Sequence, residues 1–484
     1  MKNQLPPEFV LSRRHRSFGF AAIALMKVAM FAFFAWQFYV NSSPELVTGG
    51  IAISSGDTSG YYEPVEQFVK GNGYSSVCRM PGLLPVYAPM YALFGAVSGK
   101  AAVIILQLIM QISAVWLLAL LTARFTQSVR GYYVMIALMG VSTFLSIRDH
   151  MLLSDSFAVS FLLFALFFLL RSLDQKSKKW MLVSGFFLAW AVFFRPISLV
   201  FYVPVALLII LHSRFQLLSA IRTGWVFAVP LVLSIGAWTV VNYQKTQKLI
   251  PLQGPVSECF GYLSPENLAI RKLIIRMGED YMSWSAGSAA QWFFVKSETE
   301  PTFNPFEEVD FTPDYDLDSL RVLRANYLAL DTIGVPELRK EAGARVIARV
   351  EQFDASLCSH RPLQVYVLNR LTLFRNLVFP SRLDDLPFPA LAQMSFYHKA
   401  IKGGSLLLLL LVNVLGMLAW LRACVRRDYW LVILGLIPII VMVLLGPILG
   451  FVEQRYLVPA YPILMWMCVT TVLNRTSRTE ESLR

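Results

Sequence analysis

Long apolar segments recur along this chain and dominate its pattern of hydrophobic and polar positions. Ten of them approach the length of about 20 residues that a helix needs to cross a bilayer. They lie at about 18–40, 101–123, 131–147, 155–170, 180–194, 197–212, 224–243, 403–421, 429–450 and 455–473. The pattern predicts an all-α polytopic membrane protein, a helix bundle with about ten transmembrane helices.

One long segment does not follow this pattern. Residues 244–402 contain Pro, Asp, Glu and Arg with only brief apolar runs, so they cannot cross a bilayer. We therefore predict an N-terminal transmembrane bundle over residues 1–243, with a first outer loop at 41–100. Residues 244–402 are predicted to form an outer, mainly helical soluble domain, and residues 403–484 the C-terminal transmembrane helices and a cytoplasmic tail.

A shorter apolar stretch lies within the first outer loop, at residues 82–98. Pro85 and Pro89 each lack a backbone N–H donor, which disfavours a regular spanning helix. Counting this stretch as a span would also place Arg124 and Arg130 on the outer side, against the usual distribution of positive charge. We therefore predict an interfacial or re-entrant element on the outer face.

The composition supports the membrane assignment. Of the 484 residues, 56% are hydrophobic and 15% are charged, whereas soluble domains carry about 25% charged residues. This excludes an ordinary soluble enzyme and a disordered chain. The net charge is +12, and Lys and Arg concentrate at the two termini and the alternate loops. This distribution predicts that both termini are cytoplasmic, so the basic charge requires no nucleic acid partner.

The five cysteines are too few for a disulfide framework in a chain of this length. Cys78, Cys259 and Cys358 fall on the predicted outer side. One disulfide can form among these three residues, which leaves at least one free thiol there.

One charged residue, Lys27, lies inside the first predicted span. Charges within a membrane span are often functional. A long Lys side chain can also extend to the cytoplasmic headgroups and keep only its stem in the apolar layer. We favour this second interpretation.

Polar side chains gather at the outer ends of the predicted spans. Asp57 lies in the first outer loop, just before a helix predicted at about 61–69. It can serve as a helix N-cap or as a reactive carboxylate at the membrane surface, and its position favours neither role. Other polar groups at these ends are Arg148, Asp149, His150, Asp155, Arg195, Glu453, Gln454 and Arg455. Each of them can anchor its helix independently in the lipid headgroups, or they can converge on one site.

Six segments resemble motifs of the GT-C superfamily of membrane glycosyltransferases, most closely the branch of protein O-mannosyltransferases and lipid A aminoarabinose transferases. They occur in the family's order, from about residue 56 to 462. They are Gly56-Asp57-Thr58 with Tyr61-Tyr62, Arg79-Met80-Pro81-Gly82, Leu153-Ser154-Asp155, Phe194-Arg195-Pro196, Asn242-Tyr243 with Ile250-Pro251-Leu252, and Arg455-Tyr456-Leu457 with Pro459. Two features depart from the family pattern. Val241 stands where many relatives carry Arg, and Asp149 and Asp155 are not an adjacent acidic pair.

The resemblance implies a GT-C-like bundle that moves a sugar from a polyprenyl-phosphate-linked donor to a lipid, glycan or protein acceptor at the outer face. An attacking hydroxyl needs a general base, and Asp57 is the catalytic candidate. The departing phosphate needs fixed cations, a role that suits Arg because its guanidinium binds two oxygens at once. The substrate-binding candidates are Arg79, Arg148, Asp149, His150, Asp155, Arg195, Glu453, Arg455 and Tyr456. No residue is assigned as a metal ligand and no cofactor is certain, although a divalent metal stays open.

Two other functions compete with this one. A transporter or flippase of a lipid-linked glycan would also have many spans, but transporters usually show two repeated halves, and we detect no repeat. A non-catalytic scaffold would leave the outer-face charges unexplained. A cavity that joins Asp57 to the arginines and opens to lipid favours the transferase, whereas a pathway across the membrane favours transport. The family branch favours a bacterial inner membrane as the location.

Overall fold

The computed structural model describes residues 5–41, 46–76, 78–254, 263–280, 287–295, 303–380, 383, 386–389 and 391–482, with side chains up to residue 473 in the last helix. These residues are overwhelmingly helical. The helices are α1 Arg13–Asn41, α2 Thr58–Val69, α3 Leu84–Thr126, α4 Val129–Val141, α5 Thr143–Ser146, α6 Asp155–Gln175, α7 Lys178–Phe194, α8 Tyr202–His212, α9 Leu217–Thr246, α10 Pro265–Arg276, α11 Ala289–Phe294, α12 Leu317–Ala329, α13 Pro336–His360, α14 Asn369–Val378, α15 Phe396–Arg426, α16 Tyr429–Val443 and α17 Tyr461–Ser482. Two short strands, β1 Val47–Thr48 and β2 Ala52–Ile53, pair antiparallel.

All ten predicted spans fall on helices, so the chain is an all-α, multi-pass membrane protein. Within the described residues, six helices are long and apolar enough to cross a membrane: α1, α3, α6, α9, α15 and α16 with its extension to Ile448. A seventh span results if α4 and the helical segment Thr143–Asp149, which are bent by 56°, count as one. The remaining predicted spans correspond to α7, α8 and the apolar part of α17, which are shorter helices.

The chain divides into two compact units. The first comprises Met1–Gly254, Arg382–Ile439 and Leu457–Arg484, and the second comprises Pro255–Ser381 and Ile440–Tyr456. Most of the predicted outer domain lies in the second unit. This unit also includes a late segment that the sequence pattern assigned to the C-terminal spans.

In the first unit, α6 is the central helix. It packs between α3 and α7, and α7 packs against α9 on its other side. Residues of α6 are apolar around the whole circumference, as expected for a helix without a solvent-facing side. Phe157 of α6 stacks on Phe194 of α7, with ring centres 5.1 Å apart. This packing fixes the ends of α6 and α7 relative to each other.

The apolar stretch at residues 82–98 folds back on itself instead of continuing the span. Gly95 has φ 75°, a left-handed conformation within α3 that glycine adopts readily. A Cβ at Gly99 would lie 3.0 Å from the carbonyl oxygen of Met90, whereas a straight helix would separate these residues by about 13 Å. This geometry agrees with the predicted re-entrant or interfacial element.

The second unit has its own hydrophobic core, formed mainly by α10, α11 and α13. Trp292 and Phe293 of α11 are fully buried and meet Phe306 edge-on. Burial of each such side chain contributes on the order of 1.5–3 kcal/mol. Of the cysteines, Cys78 is disulfide-bonded and Cys358 is free, while Cys259 lies outside the described residues.

Two carboxyl groups of the second unit have raised pKa values. Burial, with smaller contributions from nearby Asp310, Asp280 and Glu307, raises the pKa of Glu279 to about 7. Burial also raises the pKa of Asp310 to about 6. In an unfolded chain both residue types titrate near about 4, so the folded state holds these protons more tightly.

We therefore expect the second unit to lose stability as pH rises from about 4.5 through about 7. The folded pKa lies above the unfolded one, so the folded form is favoured at low pH and that advantage disappears once both carboxyls ionise. The loss should be on the order of several kcal/mol, because each pKa lies more than about 2 units above its unfolded value and one pKa unit corresponds to about 1.4 kcal/mol. Hydrogen exchange of α10 and α11 in the full chain at pH 5 and 8, corrected for intrinsic rates, measures it. Glu279→Gln should flatten the dependence, and an unchanged slope would contradict this prediction.

Candidate active site

The first outer loop is fastened to the turn that precedes α6. The backbone N–H of Ile53 donates to the carbonyl of His150 at 2.8 Å, and that of Leu152 donates to the carbonyl of Ile53 at 2.9 Å. The hydroxyl of Thr58 donates to the Leu152 carbonyl at 3.2 Å. These bonds hold the start of α2 against the residues just before Asp155.

Asp57 immediately precedes α2 but does not cap it with its side chain. Its carboxylate accepts a hydrogen bond from Nη2 of Arg79 at 2.9 Å, and the pair is partly exposed. The structure therefore disfavours the N-cap interpretation of Asp57. It places this carboxylate beside a cation that the sequence analysis assigned to phosphate binding.

Arg79 is held by contacts on several sides. Its Nη1 donates to the hydroxyl of Tyr61 at 3.3 Å, and its guanidinium carbon lies 4.5 Å from the centre of the Tyr61 ring. Its backbone carbonyl accepts from the hydroxyl of Tyr74 at 3.2 Å. A Cβ at Gly60 would lie 3.5 Å from Nε of Arg79, an ordinary van der Waals distance, so the guanidinium packs against α2 beside this residue.

The Pro81-Gly82 motif brings Arg79 to the end of α7. A Cβ at Gly82 would lie 2.5 Å from the carbonyl oxygen of Phe193, a distance that excludes any side chain. Nε1 of Trp190 donates to the Gly82 carbonyl at 3.1 Å. The chain segment after Arg79 thus packs directly on the last turn of α7.

Asp155 and Arg195 form a second ion pair through Oδ2 and Nη2. Asp155 lies in the first turn of α6 and Arg195 follows α7, and both side chains are buried. The guanidinium carbon of Arg195 is 6.0 Å from the centre of the Tyr61 ring. Tyr61 is therefore in contact range of both arginines. We call Asp57, Tyr61, Arg79, Asp155 and Arg195 the Asp57 cluster.

Asp149 and His150 are engaged elsewhere. Asp149 forms an ion pair with Lys27. The ring of His150 stacks on Phe31 at 3.9 Å, and its Nδ1 is 3.0 Å from the Ile51 carbonyl. Burial lowers the pKa of His150 to about 4, so its imidazole is neutral at physiological pH. Burial disfavours its charged form, and a substrate-binding role for His150 stays a prediction.

Lys27 also differs from the favoured interpretation. Its side chain is fully buried, and its Nζ lies 3.4 Å from Asp149 Oδ2 and 3.0 Å from Ser146 Oγ. Extension into the headgroups is therefore the wrong interpretation. The nearby guanidinium of Arg148 is likewise buried, with Nη1 3.1 Å from the sulfur of Met151.

The remaining candidates belong to the second unit and form a group of their own. Nε of Arg455 lies 2.7 Å from Oε1 of Glu453. Its guanidinium carbon lies 5.2 Å from the centre of the Tyr456 ring. A substrate-binding role for these three residues stays a prediction.

The described residues contain no group of three or more His, Cys, Asp or Glu side chains that could hold a metal ion. Tyr61 is the residue whose place in the site sequence reasoning did not identify. Its hydroxyl and ring serve two arginines from distant parts of the chain. Its sequence signal was its place in the motif Gly56-Asp57-Thr58 with Tyr61-Tyr62, one helical turn after Asp57.

One family model matches part of the first unit. Residues 81–238 match the family model described as dolichyl-phosphate-mannose-protein mannosyltransferase. The resemblance to that branch is confirmed for this segment. It contains the motifs of Asp155 and Arg195 and begins at Pro81, two residues after Arg79.

Among solved structures, the chain is similar to a crystal structure of ArnT from Cupriavidus metallidurans bound to undecaprenyl phosphate. The sequences are 13% identical, the match covers 97% of this chain and 80% of that chain, and the TM-score is 0.33. At that TM-score we transfer no residue positions. No curated protein matches the sequence.

Proposed function

We propose that this chain is an integral membrane glycosyltransferase that moves a sugar from a polyprenyl-phosphate-linked donor to a lipid, glycan or protein acceptor at the outer face. The observation that carries the proposal is the Asp57 cluster, in which two arginines, each paired with an aspartate, lie within contact range of one tyrosine ring. The family match over residues 81–238 supports the same reaction class. The transferred sugar is a hexose or a pentose.

The cluster contains the groups that the reaction needs. The acceptor oxygen forms a bond to C1 of the sugar while the bond from C1 to the phosphate oxygen breaks. Asp57 takes the acceptor's proton. Arg79 and Arg195 bind the departing phosphate and balance its charge as C1 acquires oxocarbenium character.

The resting ion pairs suggest how the donor prepares the site. Arg79 is paired with Asp57 and Arg195 with Asp155 before substrate arrives. A phosphate competes with these carboxylates for the guanidinium groups, because Arg binds phosphate in the same two-point geometry. Donor binding thereby draws Arg79 away from Asp57 and leaves the carboxylate available as a base.

We further propose a bacterial inner-membrane location with both termini cytoplasmic and residues 244–402 outside. A single cysteine at position 318, on α12, should then react with a membrane-impermeant maleimide in intact cells. A cysteine at position 175, the last residue of α6, should react only once the membrane is opened. The background lacks Cys358, Cys424 and Cys468, which are free cysteines. The reverse labelling pattern would contradict both the topology and the placement of the site.

The function itself is tested in a strain that lacks this protein. Mass spectrometry of its surface lipids and glycans should reveal one acceptor that has lost a sugar, and the intact gene should restore it. Purified protein in lipid nanodiscs should then transfer that sugar from the matching polyprenyl-phosphate donor. If the purified protein moves the lipid-linked donor across the bilayer without breaking the sugar–phosphate bond, a flippase replaces the transferase.

A further inference from the structure

Lys27 and Asp149 form an ion pair that is closed off from solvent, with neither side chain more than 2% exposed. Lys27 lies near the middle of α1, a helix long and apolar enough to cross the membrane. Such a pair seldom stabilises a fold more than well-packed apolar side chains would, because both charges lose their hydration. Its presence within a span therefore calls for another explanation.

Asp149 is the point at which three helices meet. Its Oδ1 accepts from the hydroxyl of Ser156 in α6 at 2.6 Å, and its Oδ2 faces Lys27 of α1. Its backbone carbonyl accepts from Nε2 of Gln107 in α3 at 3.2 Å, and the same amide group lies 3.3 Å from the Met151 carbonyl. The turn at residues 146–156 is thus fixed to α1, α3 and α6 through one residue.

Both carboxylates of the Asp57 cluster depend on this turn. Residues 150–152 carry the backbone bonds to Ile53 and the bond from Thr58, which is the neighbour of Asp57. Asp155 lies within the turn and directly precedes Ser156. A shift of the turn would therefore move Asp57 and Asp155 together with the arginines that they hold.

We propose that Lys27 and Asp149 are a positioning pair that locks the turn at residues 146–156 to α1 and so sets the geometry of the Asp57 cluster. The expected effect on lipid binding rests on the proposed function, whereas the expected effect on the turn does not. Neither residue touches the sugar or the phosphate. They act through the main chain and through Ser156.

The test needs a variant without an unpaired buried charge. In Lys27→Met/Asp149→Asn both charges are removed, and Asn still accepts from Ser156. Its midpoint of thermal unfolding should stay close to that of the parent. Its affinity for undecaprenyl phosphate in nanodiscs should fall about tenfold or more, since loss of one hydrogen bond to a charged group costs roughly tenfold or more in affinity. A cysteine pair introduced at Ile53 and Met151, which face each other across the bridge, should cross-link more slowly in this background.

Two further variants sharpen the experiment. Lys27→Arg keeps the charge and should retain most of the affinity. Arg124→Met/Asp174→Asn removes a different ion pair of the first unit, in which Nη2 of Arg124 donates to Asp174 at 2.7 Å. It should change neither the lipid affinity nor the cross-linking rate.

The outcomes separate the two proposals. If Lys27→Met/Asp149→Asn binds the lipid and cross-links like the parent, the positioning role is overturned. If the parent itself fails to bind undecaprenyl phosphate, while cross-linking slows in the double variant, the proposed donor class fails and the positioning of the turn stands.

Discussion

Replacing Asp57 with Asn should lower the rate of sugar transfer by about 100- to 10,000-fold, the range that a positioned general base contributes. Asn keeps the shape of the side chain but cannot accept the acceptor's proton. The fold should tolerate the change, because Asp57 makes no side-chain cap to α2. Its ion pair with Arg79 is partly exposed and should contribute no more than about 1 kcal/mol. Initial rates and the thermal midpoint, measured on the same preparation, test both expectations.

Glu66→Gln is the matched control for this variant. Glu66 lies in α2, the helix that Asp57 immediately precedes. It forms an ion pair with Lys100 at 3.0 Å and accepts from the hydroxyl of Tyr87 at 2.8 Å. It is outside the Asp57 cluster, so its variant should transfer sugar at close to the parental rate. Full activity of Asp57→Asn, or an equal loss in Glu66→Gln, would contradict the role of Asp57 as the base.

Hydrophobic pattern alone located the helices, because each predicted span carries enough apolar residues to specify a buried or lipid-facing helix. It did not give their lengths. The third predicted span is bent at Ser142, and α7, α8 and the apolar part of α17 are short. Packing against neighbours decides such details, and a single chain's hydropathy does not contain that information.

The sequence predicted the residues of the candidate site better than it predicted their contacts. Asp57, Arg79, Asp155 and Arg195 were identified from charges that stand at the outer ends of predicted spans and from motif resemblance. Their pairing depends on Gly82, which lets one segment pack on the backbone of another. Sequence reasoning also could not pair Lys27 with Asp149, since the two lie 122 residues apart and meet only because α1 packs beside the bent turn.

A second large loss of activity is expected when an arginine of the Asp57 cluster is replaced. Arg195→Lys should reduce kcat/KM for the polyprenyl-phosphate donor by about 10- to 100-fold, since a hydrogen bond to a charged group contributes about 1.5–3 kcal/mol. Lys keeps the positive charge but loses the planar two-point fork that matches phosphate oxygens. In the structure the guanidinium carbons of Arg79 and Arg195 lie 4.5 Å and 6.0 Å from the centre of the same Tyr61 ring. Steady-state kinetics against donor concentration measures the change.

Arg124→Lys is the control, because Arg124 is also paired with an aspartate in the first unit but lies outside the cluster. If Lys simply fails to replace Arg in an ion pair with Asp, both variants should lose activity alike. If Arg195 binds the donor's phosphate, only Arg195→Lys should lose activity. Arg79→Lys should resemble Arg195→Lys, because its guanidinium faces the same ring from the other ion pair. If Arg79→Lys and Arg195→Lys both turn over the donor like the parent, these arginines serve only as partners of Asp57 and Asp155. The departing phosphate must then be bound by other cations.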